Sequence, residues 1–245
     1  MAVAACGGNV KSPEGAIGKI TRAYGGAEKI ARLQSFVGKG FMKDLSQDIA
    51  TSNAFDVFVR EGHYKHKIYR APEGVLVDVV VLWSDGKEAQ QWSRETGVQG
   101  APLLDIQYMK YRFPGVLEWV RSAKPAGEVL PAKKEDAEVR VRFREGDVAV
   151  TLGLDRKTWL LSEVDIRSAS DTSFSFVERY EHYFAVDGVP FPGTFTAAYK
   201  GAPYFDYVLP AVEIGAELPD SVFSVTAADT AALKGAPPIL HEPPK

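Results

Sequence analysis

Apolar and polar residues alternate along most of this chain, and this alternation constrains the fold more than any other feature of the sequence. Val139, Val141 and Phe143, for example, alternate with charged side chains. A period of two places such residues on one face of a β-strand, so each run predicts a strand with one buried face. Gly, Pro, Asp or Ser bounds the runs, which indicates tight turns between antiparallel strands. The predicted strands are residues 35–42, 55–60, 63–70, 75–83, 89–93, 137–144, 148–154, 159–166, 174–186, 194–199 and 205–214.

Two segments show helical spacing of apolar residues instead. The first begins at Ser12-Pro13, a capping residue followed by proline at the first helical position, and ends at Gly25-Gly26. A short helical run over residues 27–33 follows these glycines. The second segment covers residues 103–123, and because Pro114 interrupts it, two short helices are predicted there.

These elements predict a mainly β (α+β) fold. We expect an open antiparallel β-barrel or half-barrel of roughly ten strands, with the N-terminal and inserted helices covering its concave face. Helices do not alternate with strands and no glycine-rich phosphate loop is present, which argues against a parallel nucleotide-binding sheet. Residues 124–134 are expected to form a surface connection. The predicted boundaries are a flexible tether over residues 1–12, a single domain over 13–226, and a peripheral or disordered tail over 227–245.

Composition excludes several classes of protein. Hydrophobic residues make up 45% of the 245 residues, which is enough for one large core. A formal net charge of −3 with evenly spread Lys and Arg argues against a nucleic-acid partner. No apolar run is long enough for a transmembrane helix. Four His and one Cys argue against a zinc or iron–sulfur site, and no cofactor is expected.

Two groups of ionisable residues were candidates for chemistry. His63 and His66 are three apart in a predicted strand and so face opposite sides, which prevents joint metal ligation. Glu178, Glu181 and His182 lie close in sequence, and Glu178 with His182 could form an acid–base pair on one face. Exposed charge pairing across strands explains these residues better. No catalytic residue and no metal ligand is predicted, and the chain is not predicted to be an enzyme.

The single cysteine, Cys6, follows small residues and precedes Gly7-Gly8. This spacing is similar to the processing site of bacterial lipoproteins, in which the cysteine carries the lipid. Only five residues precede Cys6, too few for the apolar stretch of a secretory signal, and an incidental cysteine in a flexible terminus is the alternative. If lipidated, Cys6 would anchor the domain to a membrane surface.

Several segments resemble the bacterial periplasmic lipoprotein carriers and receptors LolA and LolB, and lipid-binding relatives such as LppX. Together they extend over most of residues 14–225. They are soft signatures of a fold and include no catalytic motif. They are YGGAEK (24–29), SFVGKG (35–40), LGLDRKT (152–158), YFAVDGVPFP (183–192) and LPDSVF (218–223). The resemblance implies an unclosed antiparallel barrel whose helices plug its mouth over a hydrophobic cavity.

Such a cavity needs rows of inward apolar side chains with few polar groups. Strand alternation and the aromatic residues of the helical insertion supply candidates, although the same residues would be needed to fill a solid core. The predicted lining residues are Phe55, Val57, Val59, Val77, Val79, Val81, Val139, Val141, Phe143, Phe195, Tyr108, Tyr111 and Trp119.

The sequence therefore predicts non-enzymatic binding or transport of a lipid or a lipid-modified protein in the bacterial cell envelope. The expected location is the periplasm, with outer-membrane anchoring if Cys6 is lipidated, and the expected state is a monomer. The main alternative is a protein-interaction or envelope-stress sensor module, since relatives of the implied fold such as RseB bind regulatory partners. That alternative predicts a filled cavity and a contiguous exposed apolar patch. An enzyme of unknown type would instead show convergent polar groups in one pocket.

Overall fold

The protein is mainly β. The structure, a computed structural model, describes residues 10–45, 51–70, 78–84, 88–93, 96–100, 108–131, 137–226 and 229. Its helices are α1 (Pro13–Ala23), α2 (Ala27–Leu33) and α3 (Gly115–Ala123), with 3-10 turns at Met109–Tyr111 and Asp220–Phe223. Its strands are β1 (Ser35–Asp44), β2 (Thr51–Arg60), β3 (His63–Arg70), β4 (Asp78–Ser84), β5 (Ala89–Ser93), β6 (Gly97–Gly100), β7 (Ala126–Val129), β8 (Glu138–Glu145), β9 (Val148–Asp155), β10 (Leu161–Ser168), β11 (Ser175–Val186), β12 (Val189–Tyr199) and β13 (Ala202–Ile214).

The thirteen described strands form one antiparallel sheet. Their order is β6-β5-β4-β3-β2-β1-β13-β12-β11-β10-β9-β8-β7. β6 and β7 stand at the two ends of this order and do not pair with each other, so the sheet is open. The predicted class of an open antiparallel sheet is confirmed.

The chain divides into two compact units. Unit 1 comprises Met1–Ala31 and Tyr111–Pro203, and unit 2 comprises Arg32–Lys110 and Tyr204–Lys245. Unit 1 therefore holds α1, α3 and the sheet strands β7 to β12. Unit 2 holds β1 to β6 and nearly all of β13.

The first helix begins and ends where the sequence predicts. The Ser12 hydroxyl accepts a hydrogen bond from the Gly15 backbone N–H at 3.2 Å, which satisfies one of the free amide groups of the first turn. Gly25 and Gly26 follow the helix with φ of 86° and 103°, a left-handed backbone that glycine adopts without steric cost. α2 then covers the predicted residues 27–33.

The predicted strand count of roughly ten is too low. Two strands, β6 and β7, have only four residues each and show no apolar alternation that could reveal them. β7 lies inside the segment expected to be a surface connection. Its Gly127 pairs with Phe143 of β8, and a Cβ at this position would come within 2.7 Å of the Phe143 ring. Close packing, and not a turn, therefore explains this glycine.

The second of the two helices predicted in the inserted segment is present. It is α3, which begins directly after Pro114, and a 3-10 turn at Met109–Tyr111 precedes it. Residues 103–107 of that prediction, and residues 75–77 of the strand predicted over 75–83, lie outside the described residues. None of the helices in the described ranges combines the length and the apolar character needed to cross a membrane.

Candidate ligand-binding faces

Unit 1 contains α1 and α3, and one face of its part of the sheet is apolar. Val139, Val141 and Phe143 of β8 lie on it, in register with Leu154, Leu152 and Val150 of β9. All six side chains are buried. α1 contacts both α3 and β7. The predicted rows of β8 are therefore on the inner side of unit 1.

The predicted aromatic residues Tyr111 and Trp119 pack on this face. The Trp119 ring lies 6.1 Å from the Phe143 ring and 4.8 Å from the Tyr111 ring, both in edge-on geometry. The Tyr111 hydroxyl donates a hydrogen bond to Glu145 Oε2 at 2.6 Å. These three rings fill space between α3 and β8. Tyr108, which was also predicted to line the opening, is half-buried just before the 3-10 turn.

Phe113, directly before the Pro114 that starts α3, contacts four rings of unit 1. Their centroids lie between 5.2 and 6.3 Å from that of Phe113. One of them, Phe195, is a predicted lining residue and is half-buried. The four rings are those of Tyr24, Tyr180, Phe191 and Phe195.

A buried pair of tyrosines connects α1 to the sheet. The Tyr24 and Tyr183 hydroxyls are 3.0 Å apart, the Leu161 N–H donates to Tyr24, and Tyr183 donates to the Leu161 carbonyl. Burial raises the pKa of Tyr24 above its usual value, although the hydrogen bonds with Tyr183 and Leu161 oppose the shift. Burial also raises the pKa of Tyr183, and the neighbouring Tyr24 adds to this effect.

Glu178 is buried, so the exposed charge pairing across strands that was predicted for it is wrong. Its carboxylate accepts from Arg112 Nε at 2.9 Å and from the Tyr180 hydroxyl at 2.6 Å. Burial raises the pKa of Tyr180, with a further contribution from the Glu178 charge. His182 has φ of 53°, and this left-handed backbone breaks the two-residue period on which the prediction depended. The His182 ring is exposed, with Nε2 3.9 Å from a Glu181 carboxylate oxygen.

In unit 2, a second apolar face crosses β1 to β4. Phe55, Val57 and Val59 of β2 are in register with Gly40, Gly38 and Phe36 of β1 on one side, and with Ile68, His66 and Tyr64 of β3 on the other. We call this the unit 2 apolar face, which consists of Phe36, Met42, Phe55, Val57, Val59, Ile68 and Val80.

This face keeps a small exposure at several positions. Val57, Ile68 and Val80 each remain 9% exposed and Val59 is half-buried. In unit 1, Val139 also remains 9% exposed, whereas the other five residues of the β8 and β9 rows are fully buried. Residual exposure is therefore more widespread on the unit 2 apolar face than on these two rows of unit 1.

A small aromatic cluster also lies on the unit 2 apolar face. The Phe55 ring contacts the His66 ring at 4.8 Å and the Tyr207 ring at 5.6 Å, both nearly perpendicular. His63 lies on the other side of β3, where its ring is 5.3 Å from Phe223. The predicted separation of the two histidines is confirmed. In the ranges that the structure describes, no group of His, Cys, Asp or Glu has a geometry that could hold a metal ion.

Val79 and Val81 do not share a face with Phe55, Val57 and Val59. Val79 pairs with Tyr69 and Val81 with Lys67, which places both on the opposite side of β4 from Val80. Since a cavity on one side of this unit can be lined by only one of these rows, the predicted lining set divides in two. Val77 lies outside the described residues, as does Cys6.

The opposite face of unit 2 carries a buried ion pair. Lys65 Nζ is 2.7 Å from Asp229 Oδ2 and 2.8 Å from the Ser224 carbonyl oxygen, and Lys67 Nζ is 3.3 Å from Asp229 Oδ1. Burial raises the pKa of Asp229, but hydrogen bonds from Lys65 and Thr226 outweigh it and the pKa is lowered overall. Asp229 belongs to the segment expected to be a peripheral tail, yet its side chain is buried.

Comparison with solved structures finds proteins of similar fold. The protein is similar to a LolA superfamily protein from Nitrosomonas europaea, with a TM-score of 0.57 and 12% identity, over 89% of this chain and 99% of that one. A domain described as outer membrane lipoprotein-sorting, from Vibrio parahaemolyticus, matches with a TM-score of 0.54 and 11% identity, over 86% of this chain and 97% of that one. A DUF1329 family protein from Desulfovibrio piger matches with a TM-score of 0.57 and 10% identity, over 88% and 98%.

These similarities show a LolA-like fold, as the sequence resemblance implied. No protein-family model matches the sequence and no curated protein matches it.

Proposed function

We propose that the protein binds a lipid or the acyl chains of a lipid-modified protein, without catalysis, at the unit 2 apolar face. The observation that carries this proposal is the residual exposure of Val57, Val59 and Ile68 on a mainly apolar face. Its buried polar side chains, among the described residues, are Asn53, His66 and Ser84. An acyl chain placed there would remove this surface from water at about 25 cal/mol per Å². The likeness to a domain described as outer membrane lipoprotein-sorting supports the same ligand class.

The proposed location is the periplasm, because one neighbour of the same fold is described as an outer membrane lipoprotein-sorting domain. Lipidation of Cys6 would make the protein an anchored acceptor of its ligand, whereas a chain without the lipid would act as a soluble carrier. Intact-mass measurement of protein recovered from a bacterial envelope distinguishes the two forms, because a lipidated cysteine adds the mass of its acyl chains.

Ligand binding is tested in two steps. Purified protein is first extracted and examined by mass spectrometry for retained lipid, and the delipidated protein is then titrated with a fluorescent acyl probe. We expect retained lipid and saturable uptake of the probe. Failure of both measurements would overturn the proposal.

A pair of variants on β2 tests the position. Val59→Trp adds bulk to the unit 2 apolar face, and Phe58→Trp does so on the opposite side of the same strand, where Phe58 pairs with Lys65. We expect Val59→Trp to lower acyl-probe affinity and Phe58→Trp to leave it unchanged. Equal effects of the two variants would place binding elsewhere. Urea unfolding of both variants separates lost binding from lost structure.

The alternative of a protein-interaction module predicts a contiguous exposed apolar patch. Among the described residues, Val98 of β6 is the large apolar side chain that is exposed, at 60%. One valine does not make such a patch. The lipid-binding function is therefore the one we propose.

A further inference from the structure

Unit 1 has a polar groove on the face of its sheet opposite to the helices. Arg142 and Arg144 alternate along β8 with the inward Val141 and Phe143, so they face away from α3. The groove has a volume of 280 Å³. It is separate from the apolar faces described above.

The register of three strands builds this groove. Arg144 of β8 and Arg167 of β10 pair with Ala149 of β9 from its two sides. Directly opposed residues on neighbouring strands lie about 5 Å apart at Cβ, so the two arginines flank a residue with no side chain beyond its methyl group. Ala149 thus leaves a shallow floor between two guanidinium groups.

The next row has the same arrangement. Thr151 of β9 pairs with Arg142 on one side and Asp165 on the other. Arg142 Nε is 3.5 Å from the Thr151 hydroxyl oxygen, a distance at the limit for a hydrogen bond, and the buried Thr151 lies in the floor of the groove. Three cationic side chains and one carboxylate therefore line the groove.

The charges are only partly compensated by the protein itself. Asp165 accepts from Arg167 Nε at 3.0 Å, and no described residue accepts from the terminal nitrogens of Arg167. Arg142 approaches the exposed Glu128 only to 3.6 Å. Arg144 makes no side-chain hydrogen bond or ion pair with any residue in the described ranges. Arg144 is thus an exposed arginine that lies beside two other arginines and has no carboxylate partner among the described residues. Protein stability does not require such an arrangement.

Two other polar side chains at the border of the groove, Ser168 and Asp147, are already hydrogen-bonded to each other. The Ser168 hydroxyl donates to Asp147 Oδ2 at 2.6 Å, and Asp147 also accepts from the Ser170 hydroxyl and N–H. The Asp147 carboxylate is thus saturated at the β8–β9 turn. These hydrogen bonds lower the pKa of Asp147, so it stays ionised and does not itself receive a ligand proton near neutral pH.

We propose that this groove binds a phosphate monoester, either as the head group of a lipid or as a soluble compound. Guanidinium groups bind phosphate oxygens through paired hydrogen bonds, and three of them converge here. The lining keeps two positive charges after Asp165 is counted, and the ionised Asp147 at the border lowers the local excess to one. This positive excess favours a phosphate monoester, which carries −1.5 to −2 near pH 7. The Thr151 hydroxyl supplies a further donor to the floor.

The experiment uses glycerol 3-phosphate for the soluble source and vesicles for the lipid source. Binding of glycerol 3-phosphate is measured by calorimetry at low ionic strength, because exposed charges are screened by salt. Vesicles of phosphatidylcholine with and without phosphatidic acid are used for co-sedimentation. Wild type is compared with Arg144→Gln, which removes no described contact, and with Arg179→Gln, which removes an arginine of the same sheet face outside the groove.

We expect Arg144→Gln to weaken binding in at least one arm by about tenfold, the effect of one exposed charge-assisted contact. Arg179→Gln removes an ion pair with Glu163 but no contact with the groove, so it should change affinity less than about twofold. A response confined to calorimetry identifies a soluble ester, and one confined to vesicles identifies a lipid head group. No binding in either arm, or equal losses in both variants, overturns the proposal. Equal unfolding midpoints for the variants and wild type show that the fold is retained.

Discussion

The guanidinium of Arg112 holds the carboxylate of Glu178 on the inner face of unit 1, with Nε 2.9 Å from Oε1. The Glu178 side chain is 4% exposed, and the Tyr180 hydroxyl occupies its second oxygen. Arg112 also lies over the Phe176 ring, 5.0 Å from its centroid. One ion pair with its own hydrogen bonds thus connects the segment before α3 to the middle of β11.

Arg112→Met leaves Glu178 buried without its cation. We expect a loss of about 3–5 kcal/mol in the free energy of unfolding, as is typical when one partner of a buried pair is removed. Urea unfolding measures it. The half-exposed pair of Arg121 and Glu118 on α3 is the control, where Arg121→Met should cost about 0–1 kcal/mol. Equal costs at the two sites would contradict the structural role of Arg112.

Burial of Glu178 is one property that the sequence could not reveal. Its partner Arg112 is 66 residues away, and nothing in the local pattern distinguishes a buried glutamate from an exposed one. The sequence could not show which residues share a face of β4, for another reason. Val79, Val80 and Val81 are all buried, so this strand has no polar side from which alternation could be read.

By contrast, the pattern predicted α1 and β8 well. A side-chain cap and two glycines define α1, and both signals are local. In β8 the residues that alternate with Val139, Val141 and Phe143 carry charges, and a charged face specifies which side is buried. Short strands such as β6 have neither a local capping signal nor a charged face, because they pair with a neighbouring strand without burying a row of apolar side chains.

The ion pair between Lys65 and Asp229 predicts an acid-sensitive contribution to stability. The folded-state pKa of Asp229 is lowered, so the contribution is complete above the unfolded value of about 3.9 and declines as pH falls toward the folded pKa. The difference in unfolding free energy between wild type and Asp229→Asn should therefore be constant from neutral pH to about pH 4, and then shrink.

Urea unfolding over that pH range checks this prediction. Asp220→Asn is the control, because the Asp220 carboxylate is exposed where it meets Arg60. Its effect at neutral pH should be smaller than that of Asp229→Asn. A difference for Asp229→Asn that stays constant below pH 4 would show that the ion pair does not form.

The buried tyrosines predict a contribution at alkaline pH with the opposite sign. The pKa values of Tyr24, Tyr180 and Tyr183 are raised by burial, so their contribution is complete below the unfolded value of about 10 and is lost as pH rises above it. In an absorbance titration, these side chains should ionise only as the protein unfolds. Tyrosinate absorbance equal to that of the unfolded chain, while the fold is intact, would refute this.

The hydrogen bond between Tyr24 and Tyr183 should be measurable by a double-mutant cycle. Tyr24→Phe removes the acceptor of the Leu161 N–H and the partner of Tyr183, so we expect a cost of about 1–2 kcal/mol. Because both hydroxyls belong to one network, the costs of Tyr24→Phe and Tyr183→Phe should not add. Additive costs, measured by urea unfolding, would show that the two hydroxyls act independently.

Trp119 distinguishes packing from ligand binding in unit 1. Its ring is buried between Tyr111 and Phe143, so Trp119→Ala should cost about 3–5 kcal/mol of unfolding free energy, as for a large residue removed from a filled core. Trp119→Phe should cost much less. It keeps an aromatic ring, and it removes a buried indole N–H for which the described part of the chain offers no acceptor.

A lining role for Trp119 would give the opposite pattern, in which Trp119→Ala changes acyl-probe affinity and leaves stability nearly intact. We expect the reverse, with probe affinity unchanged in the folded fraction of Trp119→Ala. Together with the loss of affinity expected for Val59→Trp, this result would assign stability to the filled face of unit 1 and binding to the incompletely packed face of unit 2. The two faces look alike in sequence, because each is a row of alternating apolar residues. They differ in the exposure that remains after folding, and that difference is why we propose the unit 2 face for an acyl chain.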